Sequence, residues 1–264
     1  METAAGSKPV RFDPARYDAW YDRPLGRYCL GLEAGAILQA LKIVPGQDLL
    51  EVGAGTGRFA AAAAEMGGCL VATEPDTVVA TWAAHHRKAG NRTAWVAAWG
   101  QGLPFSDGRF DAAFTVTALC FATQHEAIVR EMVRVVRPGG RVVLGELNAV
   151  APWQILRRIK GFVPGSPYRD AHFHTVSGLV RMLRGQGLKD IEHEALLHWL
   201  PFECPRLLSW APRVEKWGRR WVPGLGSFVM VAGTRSRAEG HSTGPAHEVG
   251  DGNQIARGSR KGGY

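Results

Sequence analysis

The chain has 264 residues, 45% of them apolar and 21% charged, with 33 glycines and 15 prolines, an ordinary globular composition that excludes collagen, coiled coil and wholesale disorder. A length of this order closes one α/β core with extensions more readily than two equal domains. The net charge of +8 is uneven: residues 1–150 balance 15 Lys+Arg against 15 Asp+Glu, residues 151–233 hold 12 against 6, and residues 234–264 hold 5 against 3, an excess that suits an anionic substrate or an acidic membrane surface and that scattered solvated arginines explain as well.

Taken in chain order, GLEAGAILQALKIV (31–44) has helical apolar spacing stopped by Pro45-Gly46. DLLEVGA reads as a first strand, and the alanine-rich RFAAAAAEM after Gly57 as a helix ending at Gly67-Gly68. CLVATEP is a second strand, TVVATWAAHHRK a helix, TAWVAA a third strand and RFDAAFTVTAL a fourth. HEAIVREMVRVV is a helix halted by Pro138-Gly139-Gly140, and RVVLGEL a fifth strand with the near-continuous apolar character of a sheet covered on both faces. Residues 149–176 break the rhythm with prolines, aromatics and basic residues and read as a cap. SGLVRMLRGQGL resumes a helix, LKDIEHEALLHW a strand, PRLLSWAPRVEKWGRRW an inserted amphipathic helix and SFVMVAGT a last strand.

The alternation predicts an α/β fold: a Rossmann-like, doubly wound, mostly parallel seven-stranded sheet with helices on both faces and a small cap. The organisation expected is a helical lead-in (1–44), a catalytic domain (45–233) with cap or substrate insertions at 149–176 and 200–225, and a disordered tail (234–264) too poor in apolar groups to offset ordering entropy. No stretch reaches the ~18 uninterrupted apolar residues of a membrane-spanning helix, and Met1 to Trp20 carries no signal core, so a soluble cytoplasmic protein is expected. Cys29, Cys69, Cys120 and Cys204 form no CxxC pair, so neither a zinc cluster nor a disulfide framework is indicated.

Between the first strand and first helix lies Glu51-Val52-Gly53-Ala54-Gly55-Thr56-Gly57, whose glycines permit a tight turn and leave no Cβ between main chain and ligand. Glu74, at the end of the second strand, is placed to accept both hydroxyls of a ribose. The glycines run G-x-G-x-G rather than G-x-G-x-x-G, and Glu51 would repel a pyrophosphate but suits a ligand carrying an ammonium and a sulfonium. S-adenosylmethionine carries both.

These segments resemble the class I S-adenosylmethionine-dependent methyltransferases of the broad type 11 small-molecule group. LLEVGAGTGRFA is similar to the family's cofactor loop, ATEPD to its ribose-binding acid, LPFSDGRFDAAF to the run into the fourth strand, and EMVRVVRPGGRVVLGEL to the helix, turn and fifth strand. The resemblance covers about residues 45–150 and implies S-adenosyl-L-methionine as cofactor. On it, Glu51, Gly53, Ala54, Gly55, Thr56, Gly57, Glu74 and Pro75 hold the cofactor. The chain departs from the family after the third strand, where Trp99 replaces an adenine-binding Asp; adenine would instead stack on Trp99 or bond through Gly100 or Gln101.

An acceptor hydroxyl or carbon acid requires a general base near the carboxyl edge of the sheet, where Thr117, Leu119, Glu146 and Asn148 lie. The cap adds Tyr168, His172 and His174, with His172 or His174 the favoured base. His85 and His86 read as surface residues and His125 as a polar helix cap. Tyr17 and Tyr21, four apart on an N-terminal helix, either fold over the cofactor's methionine end or are core aromatics. TVTALCF replaces the Asn/Asp-Pro-Pro-aromatic motif that nucleic-acid amino-methyltransferases share, so no nucleic-acid partner and no metal are expected. The leading expectation is a methyltransferase acting on a small-molecule substrate. An NAD(P)-dependent oxidoreductase and a non-catalytic S-adenosylmethionine-binding module are the alternatives.

Overall fold

The computed structural model describes residues 12–87, 93–162, 168–169, 171–199, 201 and 203–237. Two helices lead in, α1 (Pro14–Tyr21) and α2 (Pro24–Leu41), each with proline in its first turn, where the missing N–H costs nothing. The chain then alternates β1 (Asp48–Val52), α3 (Arg58–Glu65), β2 (Cys69–Thr73), α4 (Thr77–His86), β3 (Thr93–Val96), β4 (Phe110–Val116), α5 (His125–Val135) and β5 (Val136–Leu147). After α6 (Pro152–Gly161) and α7 (Val176–Gly185) come β6 (Leu188–Leu196), α8 (Pro205–Leu208), α9 (Ala211–Trp221) and β7 (Phe228–Arg235).

The seven strands form one sheet in the order β3-β2-β1-β4-β5-β7-β6. Pairs from β3 to β5 are parallel, and β7 lies antiparallel between β5 and β6. This is the expected Rossmann-like architecture, with the reversed strand near one edge. Successive strand residues face opposite layers. Leu49, Phe114 and Val143 pack with Ile37 of α2 and Phe59 of α3, while Leu50, Ala113 and Val142 pack with Met132 of α5 and Leu179 of α7.

Three boundaries differ from the sequence reading. Helix α2 ends at Leu41 on Lys42, whose φ of 52° is left-handed, before Pro45-Gly46 is reached. Helix α5 ends at Val135, and Pro138-Gly139-Gly140 lies inside β5, where the register against β4 jumps between Phe110 and Ala112. The glycines thus form an irregularity within the strand. The single amphipathic helix expected over 205–221 is divided into α8 and α9. The expected disordered tail lies, from residue 238 onward, outside the described residues.

Candidate active site

The turn from β1 to α3 takes left-handed backbone at Gly53, Gly55 and Gly57, with φ of 71°, 53° and 74°, conformations that favour glycine. A Cβ on Gly53 would stand 2.7 Å from the Ala118 side chain and one on Gly57 2.6 Å from the Trp95 ring, whereas one on Gly55 would meet nothing within 4 Å. The middle of the loop therefore fronts open space, where a ligand can lie against main chain. The Gly53 and Ala54 amides both donate to the Thr73 carbonyl at 2.9 Å, clamping the loop onto the end of β2.

Two carboxylates flank this turn. Glu51 is buried at the end of β1, and its Oε2 has no hydrogen-bond partner among the described residues. Burial pushes its carboxyl well above the usual range, and the nearby Glu74 adds to that, so a cation brought beside it would restore its charge. Glu74 accepts from the amides of Gly55 at 3.0 Å and Asp76 at 3.1 Å, and burial raises its carboxyl as well. A carboxylate has about four acceptor positions, so lone pairs remain for a ligand's hydroxyls. Pro75 follows Glu74 directly, and the Thr56 hydroxyl is buried without a partner.

Beyond β3, Trp99 is 64% exposed and Gln101 is exposed, while Gly100 is buried with no room for a side chain, its Cβ position 2.9 Å from Val52 and 3.1 Å from Ile128. Trp99 offers an exposed aromatic face, and an indole can donate but not accept a hydrogen bond.

Helix α1 folds over the same edge. The Tyr17 hydroxyl donates to that of Tyr21 at 3.4 Å, Tyr21 donates to Glu33 of α2 at 3.0 Å, and Tyr17 lies near the Thr117 side chain. Thr117, just past β4, has a φ of 50°, a strained conformation for a β-branched residue. Tyr17 and Tyr21 are thus packed aromatics, their rings 5.1 Å apart, on the helix that lies over this edge. Asp18 holds the helix in place, accepting from Arg58 Nε at 2.7 Å and also from Arg87, whose Nε donates to the Thr56 carbonyl at 2.8 Å.

At the ends of β4 and β5, the fully buried Glu146 accepts from the amides of Leu119 at 2.9 Å and Cys120 at 3.2 Å. Burial raises it to about 7. Its role is to hold the turn after β4, against which the segment containing His172 and His174 runs. The His172 amide donates to the Cys120 carbonyl at 2.7 Å, and the Ala149 amide to the His174 carbonyl at 2.8 Å. Burial, with His125 and His172 adjacent, lowers His174 to about 4. Its Nε2 is buried without a partner among the described residues. His172 is exposed and, with Tyr168, lines a cavity of about 670 Å³ beside Arg158, Phe162 and Arg169. Tyr168 also lies close enough to Tyr17 to influence it electrostatically.

Residues at and near this edge carry features with no signal in the sequence. His125 is not a helix cap: Gln124 holds the cap position, and the His125 ring lies 5.1 Å from His174 and 6.0 Å from His172. Gln154 of α6 is 1% exposed, with both amide atoms unpartnered among the described residues, and Arg157 one turn on has a buried, unpartnered Nη1. The charge of Arg157 reaches Glu33, Cys29 and Cys120. His85 and His86 are exposed on α4, as expected, each bonded to a carbonyl one turn back.

Residues 50–144 match the family model described as a methyltransferase domain. An uncharacterized methyltransferase of Mycolicibacterium vanbaalenii is 32% identical over 206 residues, covering 70% of this chain and 73% of that protein. An uncharacterized protein of Mycobacterium tuberculosis is 35% identical over 189 residues, 72% of this chain; the chain spans 63% of the length of that relative. Among solved structures, a Thermotoga maritima protein described as a SAM-dependent methyltransferase, possible histamine N-methyltransferase, superposes with a TM-score of 0.62 at 23% identity. That superposition covers 84% of this chain and 95% of the other.

Proposed function

The chain belongs to the class I S-adenosylmethionine-dependent methyltransferases, and from that membership we propose that it methylates a small-molecule acceptor at the carboxyl edge of its sheet. The observations that carry this reading are the open space over Gly55 and the unpartnered, buried Oε2 of Glu51 on the strand that feeds the loop. A cationic, glycine-contacting ligand completes both by restoring the Glu51 charge, whereas a pyrophosphate gives the buried carboxyl no cation to pair with. That contrast disfavours the NAD(P)-dependent alternative.

S-adenosylmethionine supplies a methyl group already activated on a sulfonium. Gly53, Ala54, Gly55, Thr56 and Gly57 would offer it main-chain contact, Glu51 would face its cationic end and Glu74 with Pro75 would take the ribose. Trp99, Gly100 and Gln101 would border adenine, and Thr117, Tyr17 and Tyr21 would close over the methionine end. The protein's own work is to align the acceptor and exclude water, which the Asp18-anchored α1 helix serves. His174 would take the acceptor proton at Nε2, because its depressed pKa keeps it neutral across the physiological range. His172 and Tyr168 would line the approach. Gln154 and Arg157, with unused hydrogen-bonding capacity, favour an acceptor bearing an oxygen that both can meet.

The test is incubation of the full chain with methyl-labelled S-adenosylmethionine and a small-molecule extract. A labelled low-mass product that disappears in Glu74→Gln supports the reading. Cofactor binding without transfer to any extract component overturns the catalytic claim and leaves a binding module.

A further inference from the structure

Helices α9 and α6 carry exposed aromatic, apolar and basic side chains, two of which, Arg158 and Phe162, also border the His172 cavity. Helix α9 is docked through Ala211, Glu215 and Gly218, all buried. Glu215 accepts from the amides of Leu197 at 3.3 Å and His198 at 2.8 Å, and a Cβ on Gly218 would overlap the His198 side chain. This docking fixes the rotation of the helix. Trp217 and Trp221, one turn apart, together with Trp210 two turns before Trp217, then fall on one outward stripe. Trp217 is 58% and Trp221 66% exposed. The Arg213 guanidinium lies 5.1 Å from the Trp210 ring centre, and that of Arg220 5.9 Å from Trp221.

Helix α6 repeats the pattern. Trp153 and Gln154 are buried, and the Trp153 indole donates to the Trp199 carbonyl. Ile155, Leu156, Ile159 and Phe162 are exposed, the last at 86%, interleaved with exposed Arg158 and Lys160. Both helices follow strands that point the same way, since β5 and β6 are each antiparallel to the intervening β7. They therefore leave the sheet from the edge that carries the active site.

We propose that this tryptophan- and arginine-bearing face seats on an anionic lipid bilayer. The sequence 152–162 holds three cations and no carboxylate, and 205–225 holds five cations against Glu215 alone, which is buried and paired with Arg219 at 2.9 Å. Such a face repels a second copy of itself and complements a negatively charged surface. Tryptophan with an adjoining cation is the pairing that settles at the headgroup boundary. Among the described residues no helix is long and apolar enough to cross a membrane, so contact is with the surface. If the site reading above holds, the seat turns the His172 cavity toward lipid.

The experiment is co-sedimentation of the full chain with vesicles of phosphatidylcholine alone or mixed with phosphatidylglycerol, at low and high salt. Calorimetric S-adenosylhomocysteine binding serves as a separate check that each variant is intact. The expected result is binding to the anionic vesicles only, released by salt. A blue shift of tryptophan emission should accompany binding, and affinity should fall about tenfold or more in Trp217→Ser/Trp221→Ser and in Arg158→Glu/Lys160→Glu. Wild-type protein that ignores anionic vesicles overturns the proposal, as do variants that bind them equally well. So does a dimer in sedimentation equilibrium that the tryptophan variant dissociates, which would make the face a contact between copies. Failure of methyl transfer leaves these outcomes unchanged.

Discussion

The carboxylate of Glu74 accepts a 3.0 Å hydrogen bond from the main-chain amide of Gly55, joining the end of β2 to the one glycine of the loop whose Cβ position is open. The acid that would hold a ribose thus also sets the shape of the turn on which the rest of the ligand would rest. Glu74→Ala should weaken S-adenosylhomocysteine by the loss of charge-assisted hydrogen bonds, about 1.5–3 kcal/mol or roughly ten- to a hundredfold in Kd. Calorimetry checks this, and an unchanged Kd would place the ligand elsewhere.

Gly55→Ala separates ligand space from fold. The new Cβ meets no protein atom, and the positive φ costs on the order of 1–2 kcal/mol. Thermal unfolding should show that modest loss with the native spectrum kept, while cofactor affinity falls further than stability does. Equal affinity in the variant would show that no ligand occupies the space above the loop.

For His174, the account expects a rate independent of pH through neutrality and falling as pH drops through about 4, where the imidazole acquires its proton. His174→Gln should lower kcat by about 10²–10⁴ with little change in S-adenosylhomocysteine binding. If His172→Gln costs that much and His174→Gln does not, the exposed histidine is the base.

Glu33 links burial to pH. Its carboxyl is raised from 4.5 to about 7, chiefly by burial, so across that window the folded chain keeps a proton the unfolded chain has released. The contribution is whole below about pH 4.5 and is lost as pH rises through about 7. Between about pH 5 and pH 8, Glu33→Gln should lose on the order of 1–3 kcal/mol less stability than wild type. Denaturant titrations at both values read this directly, and parallel losses would contradict it. Glu146, also raised to about 7, leaves a residual slope in the variant.

Asp18→Asn should release α1 from Arg58 and Arg87, both largely buried around it. Breaking such a network costs roughly 3 kcal/mol. Limited proteolysis should then cut first near α1, and the unaltered digestion pattern of wild type would argue against the anchor.

The parts of the fold legible in the sequence are those with local causes. Leu49-Leu50 and Val142-Val143-Leu144 are continuous apolar runs because both faces of the sheet are covered, and the glycine loop advertises itself by spacing. The missed features have non-local causes. His125 gave no signal because its partners, His172 and His174, lie in a distant segment brought to it by the turn that Glu146 holds. Gln154 and Arg157 lie in a segment that reads only as a cap, and it is the packing of α6 that buries Gln154 and the Arg157 Nη1. Pro138-Gly139-Gly140 resembled a helix stop, yet the helix ends three residues earlier and the glycines bend β5 against β4.

The most direct measurement of the central claim is calorimetric titration of the full chain with S-adenosylhomocysteine beside NAD(H) and NADP(H). Saturable binding of S-adenosylhomocysteine, weakened about ten- to a hundredfold in Glu74→Ala, is expected, with no comparable heat from either dinucleotide. Dinucleotide binding tighter than that of S-adenosylhomocysteine, or silence toward S-adenosylhomocysteine at millimolar concentration, would contradict it.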